Sequence, residues 1–152
     1  MQMSTLVPPT VAKKILLVED HLLFRAMLVE LINTEPGLTV CGQADNVQDA
    51  LRLIEQTLPD AAIVDLTLKG PSGLELIKDL RARSLRLPVL VLSMHAESLY
   101  AERVLQAGGQ GYVAKEESPA EVVAALRTVM AGRICVSQRV KGAILERPGH
   151  AG

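Results

Sequence analysis

Asp65 closes the apolar run Ala61-Ala62-Ile63-Val64, and three further apolar runs end on residues of complementary chemistry. Ile15-Leu16-Leu17-Val18 leads into Glu19-Asp20, Pro88-Val89-Leu90-Val91-Leu92 into Ser93, and Gly111-Tyr112-Val113-Ala114 into Lys115. Short apolar runs bounded by turn residues read as buried strands. In a parallel sheet the ends of these strands lie along one edge. That edge would gather three carboxylates, a hydroxyl and an ammonium in one crevice. Carboxylates suit a magnesium ion, which prefers oxygen ligands. An ammonium and a hydroxyl suit the oxygens of a phosphoryl group.

Strand and helix patterns alternate five times between the runs. Strands are expected over about 14–19, 38–42, 61–65, 89–92 and 111–114, and helices over about 22–33, 47–57 and 97–106. Pro36-Gly37 stops the first helix, and Pro59 stops the second, which Asn46 can cap. A third helix starts after Ser72, with Glu75 placed to complete a capping box. The last helix has the clearest start: Ser118 as cap, Pro119 in the first turn and Glu121 at the third position. Alternation of this kind implies right-handed crossovers and a doubly wound parallel α/β sheet covered on both faces. Uniformly apolar strands fit such burial. Residues 1–12 read as a flexible lead. Ile134-Cys135-Val136-Ser137 reads as a short extended piece, 138–146 as a weak helix, and the remainder of 133–152 as an extension or linker.

The chain has 152 residues, the size of one compact domain, and a net charge of −1. No overall basic field draws it onto nucleic acid. Hydrophobic residues make up 49% and aromatics 2%, so the core is expected to be aliphatic, without a base-stacking surface. Cys41 and Cys135 form no C-x-x-C pair. No run has the length of a membrane helix, and residues 1–10 lack the apolar core of a signal peptide, so a cytoplasmic protein is expected. Arg81, Arg83 and Arg86 read as a solvated helix end rather than a nucleic-acid patch, and His21 as a first-turn helix residue near the crevice. Gly108-Gly109-Gln110-Gly111 precedes a strand instead of joining strand to helix, so it is a turn and no phosphate loop.

Taken in order, Glu19-Asp20, Asp65, Ser93 and Lys115 at the ends of the first, third, fourth and fifth strands closely resemble a two-component response-regulator receiver domain, over about residues 13–132. Glu19-Asp20-His21 with Phe24-Arg25, the stretch from Asp65 to Glu75, Leu92-Ser93-Met94-His95 and the stretch from Ala107 to Lys115 resemble the bacterial subfamily that usually carries a C-terminal LuxR-type helix-turn-helix domain. The resemblance implies a flavodoxin-like sheet of five strands in the order 2-1-3-4-5. It implies Asp65 as phosphoacceptor, with Mg2+ held by Asp20, Asp65 and the Thr67 backbone carbonyl, and with Glu19 holding a metal-bound water. Lys115 would pair with Asp65 and then with the phosphoryl oxygens, and Ser93 would bond one of those oxygens. Tyr112 would move between outward and inward positions as a switch, and His95 would line access to the phosphoryl group. The implied partners are a sensor histidine kinase or phosphotransfer protein and a second copy in a homodimer.

Two departures stand out. Lys69 occupies a place where many receivers have proline, with Pro71 following. No helix-turn-helix output domain is expected within these residues, so they read either as the receiver of a longer regulator or as a stand-alone receiver, and direct DNA binding is not expected of them. Three alternatives have their own signatures. A phosphorylation-independent interaction module would lack the chemistry although it keeps the residues. An aspartate-nucleophile phosphohydrolase commonly has a second Asp two residues on, where Thr67 stands. A flavin-binding domain needs a Ser/Thr/Gly-rich loop where Glu19-Asp20-His21-Leu22-Leu23 stands. The site chemistry therefore points to self-catalysed phosphorylation without turnover of a separate substrate.

Overall fold

The computed structural model of the chain describes residues 11–68, 70, 72–94 and 98–136, residues 98 and 99 through their backbone. The expected weak helix at 138–146, His95, Lys69 and Pro71 lie outside the described residues. Strands and helices alternate: β1 (Lys13–Val18), α1 (Leu22–Thr34), β2 (Leu38–Ala44), α2 (Val47–Thr57), β3 (Ala61–Asp65), α3 (Gly73–Ala82), β4 (Val89–Ser93), α4 (Ser98–Ala107), β5 (Gly111–Ala114), α5 (Pro119–Met130) and β6 (Cys135–Val136). The strands form one parallel sheet in the order β2-β1-β3-β4-β5-β6. The expected 2-1-3-4-5 order is present, and the extended piece at Cys135–Val136 adds a sixth strand beside Gly111 and Tyr112. On the opposite edge the β1–β2 register slips between Ile15 and Leu16, so Cys41 is left over as a bulge.

Side chains alternate across the sheet, and here both faces are apolar. Leu16, Val18, Ala62, Val64, Val89, Val91 and Tyr112 pack with α2, α3 and α4. Ile15, Leu17, Ala61, Ile63, Leu90, Leu92 and Val113 pack with α1 and α5. Two helices therefore cover one face and three the other, so β3, β4 and β5 are sealed from water while the edge strands β2 and β6 are only partly buried.

Helix starts follow local hydrogen bonding. Asn46, Ser72 and Ser118 each cap with a side-chain oxygen that accepts the backbone N–H three residues on, at Asp49, Glu75 and Glu121. His21 does the same with Nδ1, accepting from the Phe24 N–H at 3.2 Å, so it is the cap of α1 rather than a residue within its first turn. At the end of α2 the exposed Leu58 takes a left-handed conformation with φ of 49°, a place where glycine is usual.

Arg81 departs from the solvated helix end expected for it. Its guanidinium donates to the carbonyls of Leu85, Leu87 and Gly108 and to Gln110 Oε1, fastening the end of α3 to the α4–β5 turn. Gly108, at φ of +106°, leaves room for it; an added Cβ there would meet Arg81 Nε at 2.8 Å. Arg83 and Arg86 are exposed, and Arg83 pairs with Asp79 at 2.9 Å.

Candidate functional site

The strand order reverses between β1 and β3, and at that point a crevice opens outside the carboxyl ends of the strands. Val18 pairs with Val64, which brings Glu19-Asp20 beside Asp65. Asp65 pairs with Leu92, and Ser93 pairs with Ala114, which brings Ser93 and Lys115 to the same edge. Lys115 also donates its backbone N–H to the Ser93 carbonyl at 2.8 Å. A cleft of about 420 Å³ lies over Asp65 and Lys115, lined by Asp20, His21, Phe24, Thr67 and Met94.

Within it, Glu19 is 1% exposed and Asp65 5%, while Asp20 is half-buried. Oxygens of all three carboxylates lie within 4.8 Å of one another. Lys115 Nζ stands 2.9 Å from Glu19 Oε1 and 3.2 Å from Asp65 Oδ2. The expected Lys115–Asp65 pair is therefore shared, and its shorter arm goes to Glu19. The other oxygen of Glu19 accepts the His21 N–H at 3.0 Å, and Arg25 Nη1 donates to the Glu19 carbonyl at 2.9 Å. Asp65 Oδ1 accepts the Thr67 N–H at 3.1 Å.

These contacts leave Asp65 under electrostatic load. Burial first, and the neighbouring Glu19 after it, raise its pKa from 3.8 to about 6 against the opposing effects of Lys115 and the Thr67 N–H. Three carboxylates lie close together, and Lys115 pairs with two of them, Glu19 and Asp65, so the crevice gathers like charges. A hard divalent cation would offset them, and the donor set of oxygens is the one magnesium takes.

Backbone packing fixes the position of the Asp65 end. Gly73, first residue of α3, donates its N–H to the Leu66 carbonyl at 3.0 Å, and an added Cβ there would lie 2.3 Å from the Asp65 carbonyl oxygen. Only glycine lets α3 approach so closely. Tyr112 is fully buried on the α4 side, packed with Val91, Ala101 and Val104, so it occupies the inward of the two positions expected for it. Ser93 is buried at the end of β4. Sequence reasoning named Phe24 only among the residues of the subfamily resemblance and gave it no role at the site; its ring centroid lies 4.6 Å from Lys115 Nζ. Its place in the first turn of a helix starting at the crevice is a further signal that points to it.

Comparison with known proteins agrees with this geometry. The family model described as the response regulator receiver domain matches residues 15–127. The chain is 33% identical over 134 residues to the DNA-binding transcriptional activator DevR/DosR of Mycobacterium tuberculosis, covering 88% of this chain and 62% of that protein. It is 35% identical over 126 residues to the nitrate/nitrite response regulator NarL of Escherichia coli, covering 82% of this chain and 57% of that protein. The chain thus spans less than two thirds of either relative. A crystal structure of a LuxR-family two-component response regulator from Aurantimonas superposes with a TM-score of 0.85 at 36% identity, covering 89% of this chain and 96% of that one. The doubly wound sheet, the acidic crevice at its switch point and these similarities together place the chain in the response regulator receiver domain family of two-component signalling.

Proposed function

We propose that the domain accepts a phosphoryl group on Asp65 and converts that covalent change into a change of surface. The observation that carries this reading is the Asp65 carboxylate itself: buried, held by the Thr67 N–H at one oxygen and by Lys115 at the other. In the proposed step an Asp65 oxygen attacks phosphorus of a phosphohistidine on a sensor kinase or phosphotransfer protein. The bond from phosphorus to the imidazole nitrogen breaks, and an acyl phosphate forms. Lys115 neutralises charge on the transferred oxygens, and the Ser93 hydroxyl donates to one of them. Asp20, Asp65 and the Thr67 carbonyl would hold Mg2+, with Glu19 holding a metal-bound water. Bound there, Mg2+ would supply positive charge that lets two anions approach. Hydrolysis of the acyl phosphate returns Asp65 and inorganic phosphate, so no separate substrate is turned over.

The readout follows from the same placement. A phosphoryl oxygen drawing on Ser93 biases the loop from β4 to α4, and Tyr112, packed against Ala101 and Val104 of α4, reports that bias to the α4–β5–α5 face. Residues 13–132 would form the receiver, with 1–12 a lead and 133–152 a link to a transcriptional output region outside this segment. A homodimer through α1–α5 or α4–β5–α5 and a cytoplasmic setting fit this reading, as does the absence, among the described residues, of any helix long and apolar enough to cross a membrane.

The test is intact mass after incubation with acetyl phosphate, with and without Mg2+. A magnesium-dependent gain of about 80 Da that Asp65→Asn abolishes is expected. No gain in the wild type from acetyl phosphate or from a cognate kinase would leave a phosphorylation-independent interaction module as the better reading.

A further inference from the structure

A lysine ammonium carries three N–H donors and sits on a flexible four-carbon stem. At Lys115 two directions are taken by Glu19 and Asp65, at 2.9 and 3.2 Å. The Phe24 ring lies beside the same nitrogen, its centroid 4.6 Å away. Phe24 is the one phenylalanine of the chain. It packs on the core shared by α1 and α5 and also lines the cleft over Asp65.

Its placement is tied to that of the carboxylates. His21 caps α1 by accepting the Phe24 N–H, while the His21 N–H donates to Glu19 Oε2. Arg25, next to Phe24, donates to the Glu19 carbonyl. One turn of backbone therefore holds both the ring and the buried glutamate, and Lys115 Nζ is near both, 2.9 Å from Glu19 Oε1 and 4.6 Å from the ring centroid.

We propose that Phe24 is a positioning residue for Lys115: its ring holds the ammonium in the crevice and keeps water from the side turned away from the carboxylates. The chemistry of an aromatic ring suits this place better than any other side chain. A third carboxylate would pull the ammonium from Asp65 and add to the negative charge. An aliphatic group would strip water from the cation and offer no attraction in return. A ring attracts a cation through its quadrupole while leaving the formal charge intact. The ring thus adds no opposing charge beside the ammonium, whose pull on Asp65 and on any group attached there is left undiminished. The consequence for phosphoryl transfer rests on the role proposed above for Lys115; the placement of the ammonium does not.

The experiment compares wild type, Phe24→Leu and Phe24→Tyr as unphosphorylated, metal-free, 15N-labelled protein. It follows exchange of the Lys115 Nζ protons with water by NMR at low temperature, with the amide spectrum as a check on folding. Wild type and Phe24→Tyr are expected to give slow, visible exchange, and Phe24→Leu exchange faster by about three- to tenfold. Should Phe24→Leu lose the native amide pattern, Phe24→Met is read in its place. Equal exchange in the wild type and the non-aromatic variant overturns the proposal, as does a Lys115 signal already lost to exchange in the wild type. Phosphorylation from acetyl phosphate, followed by mass, is measured in parallel and is expected to slow in Phe24→Leu by a similar factor. If the exchange rates shift as expected but no protein takes up a phosphoryl group, the positioning role stands and the phosphoacceptor reading fails.

Discussion

Replacing Asp65 by Asn removes a buried charge and leaves the shape of the side chain almost unchanged. The Asp65 carboxyl is 5% exposed, and its pKa is raised from 3.8 to about 6 by burial and by Glu19. A shift of about two units corresponds to roughly 3 kcal/mol of destabilisation when the group is ionised in the folded state. The sign follows from the protonation states. Below pH 3.8 both folded and unfolded chains carry the proton, and the penalty is absent. It grows between pH 3.8 and about 6, and is complete above that. Asn can still accept the Thr67 N–H through Oδ1, and Lys115 keeps its shorter contact with Glu19. The loss of the Lys115–Asp65 pair is already contained in the net shift. Asp65→Asn is therefore expected to stabilise the metal-free domain by about 1–3 kcal/mol at pH 7.5, with the gain shrinking toward zero near pH 4. Urea unfolding in EDTA at several pH values measures this. Adding Mg2+ at about a hundred times its dissociation constant should stabilise wild type by about 2.7 kcal/mol and Asp65→Asn by distinctly less. A destabilised variant, or a gain that does not change between pH 4.5 and 7.5, would refute the account of Asp65 as a strained buried anion.

Other positions give separate tests. Gly73→Ala should push the Asp65 backbone out of place, because the new Cβ would lie 2.3 Å from its carbonyl oxygen; a stability loss of about 2 kcal/mol and slower phosphorylation are expected, and a variant within about 0.5 kcal/mol of wild type would contradict that packing. Leu58→Gly should stabilise by about 0.5–1 kcal/mol in denaturant unfolding, since Leu58 is 71% exposed and pays for a left-handed backbone that glycine adopts freely. Arg81→Ala should cost about 2–3 kcal/mol by leaving the carbonyls of Leu87 and Gly108 without their guanidinium donor, while Arg83→Ala should stay within about 0.5 kcal/mol; equal effects of the two would argue against the fastening role of Arg81.

What the sequence makes legible here is whatever local pattern dictates. Ala61–Asp65 and Gly111–Ala114 are uniformly apolar runs, and α2 and α5 carry their own caps, so their bounds can be read directly. The crevice is legible because each chemical residue sits at a strand end, and parallel topology then brings the ends together. The partners within the crevice are another matter. Whether Lys115 leans on Glu19 or on Asp65 depends on a few tenths of an ångström set by the turn at His21. Arg81 and Arg83 look alike in sequence, two residues apart at the end of one helix. Arg81 differs because the α4–β5 turn, with Gly108 in it, passes over its guanidinium, a contact 27 residues away along the chain.

The two edges of the sheet have a consequence for how copies of the domain meet. An open strand edge is a template for another strand, and long flat edges invite chain-to-chain pairing. Here one edge is broken by the bulge at Cys41, and the other ends in the two-residue strand at Cys135–Val136. Among the described residues, neither offers a long uninterrupted ladder for a foreign backbone. At the bulged β2 margin, growth of a continuous intermolecular sheet is disfavoured, and contact between folded copies there is left to the helical faces, where side chains rather than main-chain hydrogen bonds choose the partner.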